Sequence, residues 1–260
     1  MAARAMWKGT LHVDGTTVPV KLYSAVEDRS VRFNILDDRS MERVRQRMVR
    51  PDSSEEVNPA EIRRGYQAAP DQIVIVGQNE LAALVPPESR DIHITQFMAQ
   101  GGLPPQWFVR PYFLGPDNSA KKYFALAKAL AEEKVQALVA WVMRKKRYNG
   151  LLYAEGDHLM LISLRFAEEV VAARNLPQAD KHVLDSRELK MAEQLIEALA
   201  GEFDPAQFKD DYRERVLEFI EQKAAGNKPR LKMRPRQKPT ESIADALEAS
   251  LRAARKSTAA

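Results

Sequence analysis

Trp7 to Tyr23 reads WKGTLHVDGTTVPVKLY, and its pattern decides the fold. Trp7, Leu11 and Val13 alternate with Lys8, Thr10 and His12, the two-residue period of a strand with one buried face. Asp14-Gly15 is a pair favoured by tight hairpin turns, and Val18, Val20 and Leu22 then alternate with Pro19, Lys21 and Tyr23. Pro19 has no N–H to give a ladder, which predicts an edge strand or a bulge. Outward from this hairpin, strand patterns cover residues 30–36, 42–49, 72–76, 91–97, 109–114, 136–143, 148–154 and 158–166. Residues 72–76 and 159–162 are almost wholly apolar and are expected to be buried on both faces. Many short strands with few long helices between them predict an α+β fold built on an antiparallel β-barrel core.

Three helices stand out. Ser119 is placed to cap the first, whose apolar face is Tyr123, Ala127 and Leu130 with Leu126 beside it. Asp185 and Glu188 give a second a capping-box-like start, with Gly201 as its stop. Asp204 and Pro205 are expected to open a third, with Phe208, Tyr212, Val216 and Phe219 on its apolar face. This divides the chain into a strand-rich part, 1–170, and a helical part, 171–224. Residues 225–240 hold alternating bases and three prolines, which predicts an extended linker. In 241–260, Ile243, Leu247 and Leu251 fall on one helical face, the pattern of a docking helix.

Charge is unevenly spread. Residues 224–260 hold nine basic and three acidic side chains, so the rest of a chain of net charge +4 carries −2. Any positive surface on the body must therefore be local. One such run is RSMERVRQRMVR, residues 39–50, with five arginines against Glu42 alone. Arg43, Arg45 and Arg47 alternate with Val44, Gln46 and Met48, which puts three guanidinium groups on one face of an extended chain. A polyanion passing over that face relieves their repulsion, and arginine's fork suits phosphate. A second run, Arg144-Lys145-Lys146-Arg147, follows an apolar strand.

The 260-residue chain has no cysteine, which excludes disulfides, thiolate metal sites and cysteine nucleophiles. No apolar stretch reaches the ~18 residues of a membrane span, and no secretory signal is expected. Phosphate-loop, dinucleotide-binding and nucleophile-elbow motifs are absent. The four histidines, His12, His93, His158 and His182, show no metal-ligand spacing on one element; His12 and His93 read as outward-facing strand residues. No catalytic residue, cofactor or metal is expected. The enzyme alternative is a lysine-based lyase or a metal-dependent nuclease built from distant carboxylates.

Several segments resemble the bacterial Ku proteins. They are Arg4 to Gly9, Val18 to Ala25, Arg63 to Tyr66, Arg110 to Leu114, Leu164 to Val170, and Gly201 to Pro205 with Tyr212-Arg213, in order along residues 4–224. The resemblance implies a homodimeric ring that threads double-stranded DNA ends in non-homologous end joining and recruits an ATP-dependent DNA ligase. It implies a barrel with an inserted bridge, here about 31–66, and a helical arm that embraces the partner subunit. By the same resemblance Arg43, Arg45, Arg47 and Arg50 line the DNA channel, and Lys21, Arg32 and residues 144–147 also meet DNA. Many relatives carry a cysteine where this chain has Arg50, which removes any metal or redox role there. Phe203, Phe208, Tyr212 and Phe219 are expected to serve the dimer interface or the local core. Lys228, Arg230, Lys232, Arg234, Arg236 and Lys238 add tail contacts to DNA, and Ile243, Leu247 and Leu251 face the ligase. The implied setting is the bacterial cytoplasm, at the nucleoid.

Overall fold

A computed structural model describes residues 4–177 and 185–227. It divides into two compact units, residues 1–29 with 34–175, and residues 30–33 with 176–260. The tail and end-helix expectations, from Lys228 to Leu251, lie outside the described residues.

The first unit is built on a closed seven-stranded barrel. Its strands are β1 (Trp7–Val13), β2 (Thr16–Ser24), β5 (Asp91–Ala99), β6 (Phe108–Pro116), β7 (Val135–Met143), β8 (Lys146–Glu155) and β9 (His158–Leu164). They close in the order β1-β2-β6-β9-β8-β7-β5. All neighbours are antiparallel except the closing pair, where β1 runs parallel to β5 through Thr10–Asp91, Leu11–Ile92 and His12–His93. Closure leaves no sheet edge to pair with another chain. Pro19 is therefore not on an edge strand. It sits just beyond the β2–β6 ladder, which starts at Val20–Pro116, so its missing N–H is not called on.

Inward-facing residues alternate as the strand period demands. Leu11, Val18, Val20, Leu22, Ile92, Leu114, Val139, Trp141, Leu152, Leu159 and Leu161 form the core. Each such aliphatic side chain contributes about 1.5–3 kcal/mol by leaving water. Helix α2 (Ala120–Glu132) plugs one end of the barrel with Tyr123, Ala127 and Leu130. Ser119 stands at the N-cap of α2 but its side chain makes no capping hydrogen bond. The Tyr123 hydroxyl donates to the Leu114 carbonyl at 2.5 Å and accepts from the Leu159 N–H at 2.8 Å. One side chain on α2 thus ties β6 to β9.

Two glycines make room for indoles. A Cβ on Gly150 would lie 2.6 Å from Trp141 Cζ3 and 2.7 Å from the Ile162 carbonyl oxygen. The backbone oxygen cannot yield as a flexible side chain would. Gly150→Ala is expected to cost about 1–3 kcal/mol, read as a melting temperature several degrees lower.

Residues 25–90 are inserted between β2 and β5, and the expected bridge, 31–66, lies within this insertion. Residues 30–36 and 42–49 are not ladder strands, contrary to expectation. Only isolated bridges pair Leu36 with Arg43 and Val49 with Glu56. Turns at Asp37–Met41 and Arg50–Ser54 fold residues 34–58 into a three-pass meander, so residues 43–49 run between the other two passes. The Asp37 carboxylate braces the first turn by accepting from Ser40, which holds its pKa below the ordinary value. A two-stranded sheet follows, β3 (Arg64–Ala69) with β4 (Gln72–Val76), then the short helix α1 (Gln78–Ala83). β4 is not buried on both faces as expected: Ile73 and Ile75 are 64% and 68% exposed. Its apolar run belongs to a sheet that no layer covers among the described residues.

The second unit carries α3 (Ser186–Leu199) and α4 (Asp211–Ala224). Asp185 caps α3 by accepting from the Arg187 N–H. Asp204 and Pro205 do not open α4, as had been expected. They open a 3-10 turn, Pro205–Gln207, and Asp210 caps α4 instead by accepting from the Arg213 N–H. Two aspartates compete for one helix start, and the 3-10 turn absorbs the first. Neither helix buries a residue.

Candidate nucleic-acid interface

The arginines of the barrel gather at one of its two ends. The insertion leaves from Ser24 and returns at Asp91, so both roots lie at one end. That end also collects Arg90 before β5, Arg110 on β6, the Arg144–Lys145 turn between β7 and β8, and Arg165 after β9. The opposite end mixes Asp14, Glu133, Glu155 and Asp157 with the lysines of α2 and Lys134, and has no arginine among the described residues. Arg90, Arg110 and Arg165 were not singled out in the sequence. Each is a lone base in its own segment, and only the strand order brings them together.

Within this end Arg110 is fixed. Its guanidinium donates to the Ser24 hydroxyl at 3.0 Å and lies 5.8 Å over the Tyr112 ring. Burial raises the Tyr112 pKa, opposed by the charges of Arg110 and Arg144. Arg144 and Lys145 form the two-residue turn that joins Met143 to Lys146, with φ of 50° and 64°. Such a turn favours Asn-Gly, because side chains strain in the left-handed region. Two bases are held here at an estimated ~1–2 kcal/mol per residue. Lys146 and Arg147 start β8 and are exposed.

On the insertion, Arg43, Arg45, Arg47 and Arg50 are all exposed. Arg47 pairs with Glu56 at 2.5 Å, while Arg43, Arg45 and Arg50 make no ion pair among the described residues. Three cations are thus left for an outside anion, on a chain segment that buries no core of its own.

The family model described as the Ku70/Ku80 beta-barrel domain matches residues 13–191, well over half of the chain. The chain belongs to the Ku family. It is 34% identical over 255 residues to the non-homologous end joining protein Ku 2 of Geotalea uraniireducens (strain Rf4), covering 97% of this chain and 99% of that one. It is 37% identical to the Ku protein of Anaeromyxobacter sp. (strain K), over 98% and 87% of the two chains. The Ku protein of Mycobacterium tuberculosis is 32% identical over 86% and 84%.

In this Ku chain Lys21 is not a free cation. Lys8 and Lys21 stand opposite each other on β1 and β2, and Asp117 bridges both at 3.1 and 2.9 Å. The Asp117 hydrogen bond raises the Lys21 pKa, and both lysines lower that of Asp117. Arg32 falls in the second unit. In that unit Phe203 and Phe208 are each 75% exposed with ring centroids 5.1 Å apart, Tyr212 is exposed, and Phe219 is half-buried under Lys223. None of the four is buried among the described residues.

His12 and His93 do face outward, yet they meet across the parallel seam. Their rings stack at 5.0 Å, and His12 Nε2 lies 2.8 Å from Asp91 Oδ1. The Ser89 hydroxyl donates to Asp91 Oδ2 at 2.8 Å and, with His12, lowers the Asp91 pKa. A depressed carboxylate contributes stability above its ordinary value of 3.8 and loses it as pH falls through the lowered pKa. Acid unfolding followed by circular dichroism should therefore lose part of its steepness below about pH 4 in Asp91→Asn. An unchanged acid limb would show that the seam does not depend on this carboxylate.

Proposed function

We propose that two copies of this chain form a ring that receives double-stranded DNA ends without regard to sequence in non-homologous end joining. The observation that carries the reading is the arginine meander, residues 43–50, rooted at the basic end of the barrel. Arginines on an extended ribbon suit phosphates, the groups an end-binding protein must hold to accept any sequence. The relatives' names, non-homologous end joining protein Ku, support the same role. A second copy is favoured by apolar surface that one chain leaves bare: Tyr66, Ile73 and Ile75 on the two-stranded sheet, and Phe203, Phe208 and Tyr212 in the helical unit. In this reading Arg43, Arg45 and Arg50 hold phosphate, and Arg47 does so after releasing Glu56. Arg144, Lys145, Lys146 and Arg147 extend the track onto the barrel; Lys21 contributes only the charge that Asp117 leaves over.

The remaining steps belong to the same proposal. The ring protects ends and brings in an ATP-dependent DNA ligase through residues 241–256. Deleting residues 225–260 is expected to leave ring assembly intact and weaken stimulation of the ligase; full stimulation would contradict this. No observation favours the end-processing alternative, and among the described residues no three His, Asp or Glu side chains gather to hold a metal.

Threading has its own test. Protein is loaded on a linear duplex, both ends are then blocked with bulky adducts, and salt is raised. A ring stays trapped on the blocked duplex and leaves the open one. Equal release from both would overturn the ring.

A further inference from the structure

At the basic end of the barrel, between Trp7 and the β7–β8 turn, lies a cavity of about 590 Å³. That volume is in the ~300–1,000 Å³ range of small-molecule sites. Its apolar lining is Met6, Trp7 and Val142, and its charged rim is Arg90, Arg144, Lys145, Lys8 and Glu88. Three features separate it from a track for duplex phosphates. Trp7 is half-exposed, and its indole lies over Gly9, where a Cβ would come within 2.2 Å of the ring. Glycine at that point is what lets the ring fold across the barrel mouth. Arg90, Arg144 and Lys145 make no ion pair among the described residues, whereas Lys8 is tied to Asp117. The turn that presents Arg144 and Lys145 keeps both in left-handed backbone, a conformation that other residues would adopt with less strain.

An aromatic wall beside uncompensated cations is the combination that holds single-stranded nucleotides, with the base on the ring and the phosphate on the bases. We propose that this cavity is a nucleotide subsite: it takes a phosphate-bearing nucleotide, the unpaired terminal nucleotide of an overhanging DNA end. Its base stacks on Trp7, its phosphate meets Arg90, Arg144 and Lys145, and Glu88 offers acceptor oxygens to a base amino group. The DNA source of the nucleotide rests on the end-binding reading above; the stacking and phosphate chemistry do not.

The test uses the full chain and two duplexes of identical sequence, one blunt and one with a short 5′-phosphorylated overhang, at matched salt. The native protein is expected to prefer the overhang by roughly tenfold, and excess deoxyadenosine 5′-monophosphate should erase that preference. Trp7→Leu keeps an apolar side chain at the barrel mouth and removes the stacking ring. It should bind blunt duplex within a few-fold of native and lose the preference. A native protein that binds both duplexes equally overturns the subsite and leaves the end-binding reading standing. A native protein that binds neither overturns the end-binding reading. A direct titration with the mononucleotide then decides the subsite: saturable binding supports it, and no binding overturns it.

Discussion

Arg43→Glu, Arg45→Glu and Arg47→Glu together are expected to abolish measurable binding of linear duplex at moderate salt while the protein stays folded. All three side chains are exposed and none supports the barrel core. Each phosphate contact removed lowers the log–log salt slope by about 0.9, so losing three contacts lowers it by close to 3. Reversed charge then adds repulsion to that loss. Single changes to alanine should not be equal. Arg43 and Arg45 make no ion pair among the described residues, whereas Arg47 must first leave Glu56. Arg47→Ala should cost less affinity than Arg43→Ala or Arg45→Ala. Unchanged affinity in the triple variant would remove the meander from the DNA path.

Tyr123→Ala is expected to produce the largest loss of stability of any single change considered. The side chain is fully buried at the plugged end of the barrel. Its removal opens a cavity, about 3–5 kcal/mol for a large aromatic. It also strands the Leu159 N–H and the Leu114 carbonyl, which the hydroxyl had satisfied. Tyr123→Phe isolates that second part, about 1–3 kcal/mol for buried polar groups left without partners. At roughly 2–4 °C per kcal/mol for a domain of this size, the alanine variant should melt on the order of 10 °C lower and the phenylalanine variant several degrees lower. Thermal unfolding by circular dichroism measures both. A phenylalanine variant as stable as native would mean that the hydroxyl ties no strands together.

The barrel was legible in the sequence because its apolar residues keep a period of two along β1, β2 and most of β7, while β8 and β9 bury consecutive residues at Gly150–Leu152 and Leu159–Leu161. Helix α2 was equally plain, since Tyr123, Ala127 and Leu130 recur at helical spacing and all three are buried. The insertion was not. Residues 30–36 and 42–49 have strand composition, yet among the described residues they stay largely exposed and only isolated bridges form. The apolar run in β4 misled for the same reason: Ile73 and Ile75 are exposed among the described residues. At α4 the sequence offered two good caps, Asp204 and Asp210, and pattern alone could not choose between them.

The candidate site divides in the same way. Arg43, Arg45 and Arg47 were visible as a run with a period of two, and Arg50 as a further base in the same stretch. The basic barrel end was visible only in part, through residues 144–147. Its other members, Arg90, Arg110 and Arg165, come from segments far apart in the chain and meet only through the strand order. Lys21 carried charge in the sequence that Asp117 largely offsets in the fold. The seam of His12, Asp91 and His93 joins residues some eighty positions apart across the barrel's one parallel pair, which no local pattern announces.

The central claim is a closed ring that enters DNA from its ends. The most direct test compares affinity for linear DNA with affinity for covalently closed circular DNA of the same sequence at matched salt. A threading ring binds the linear form strongly and the circle hardly at all. Equal binding to both would mean an open basic surface and would contradict the ring.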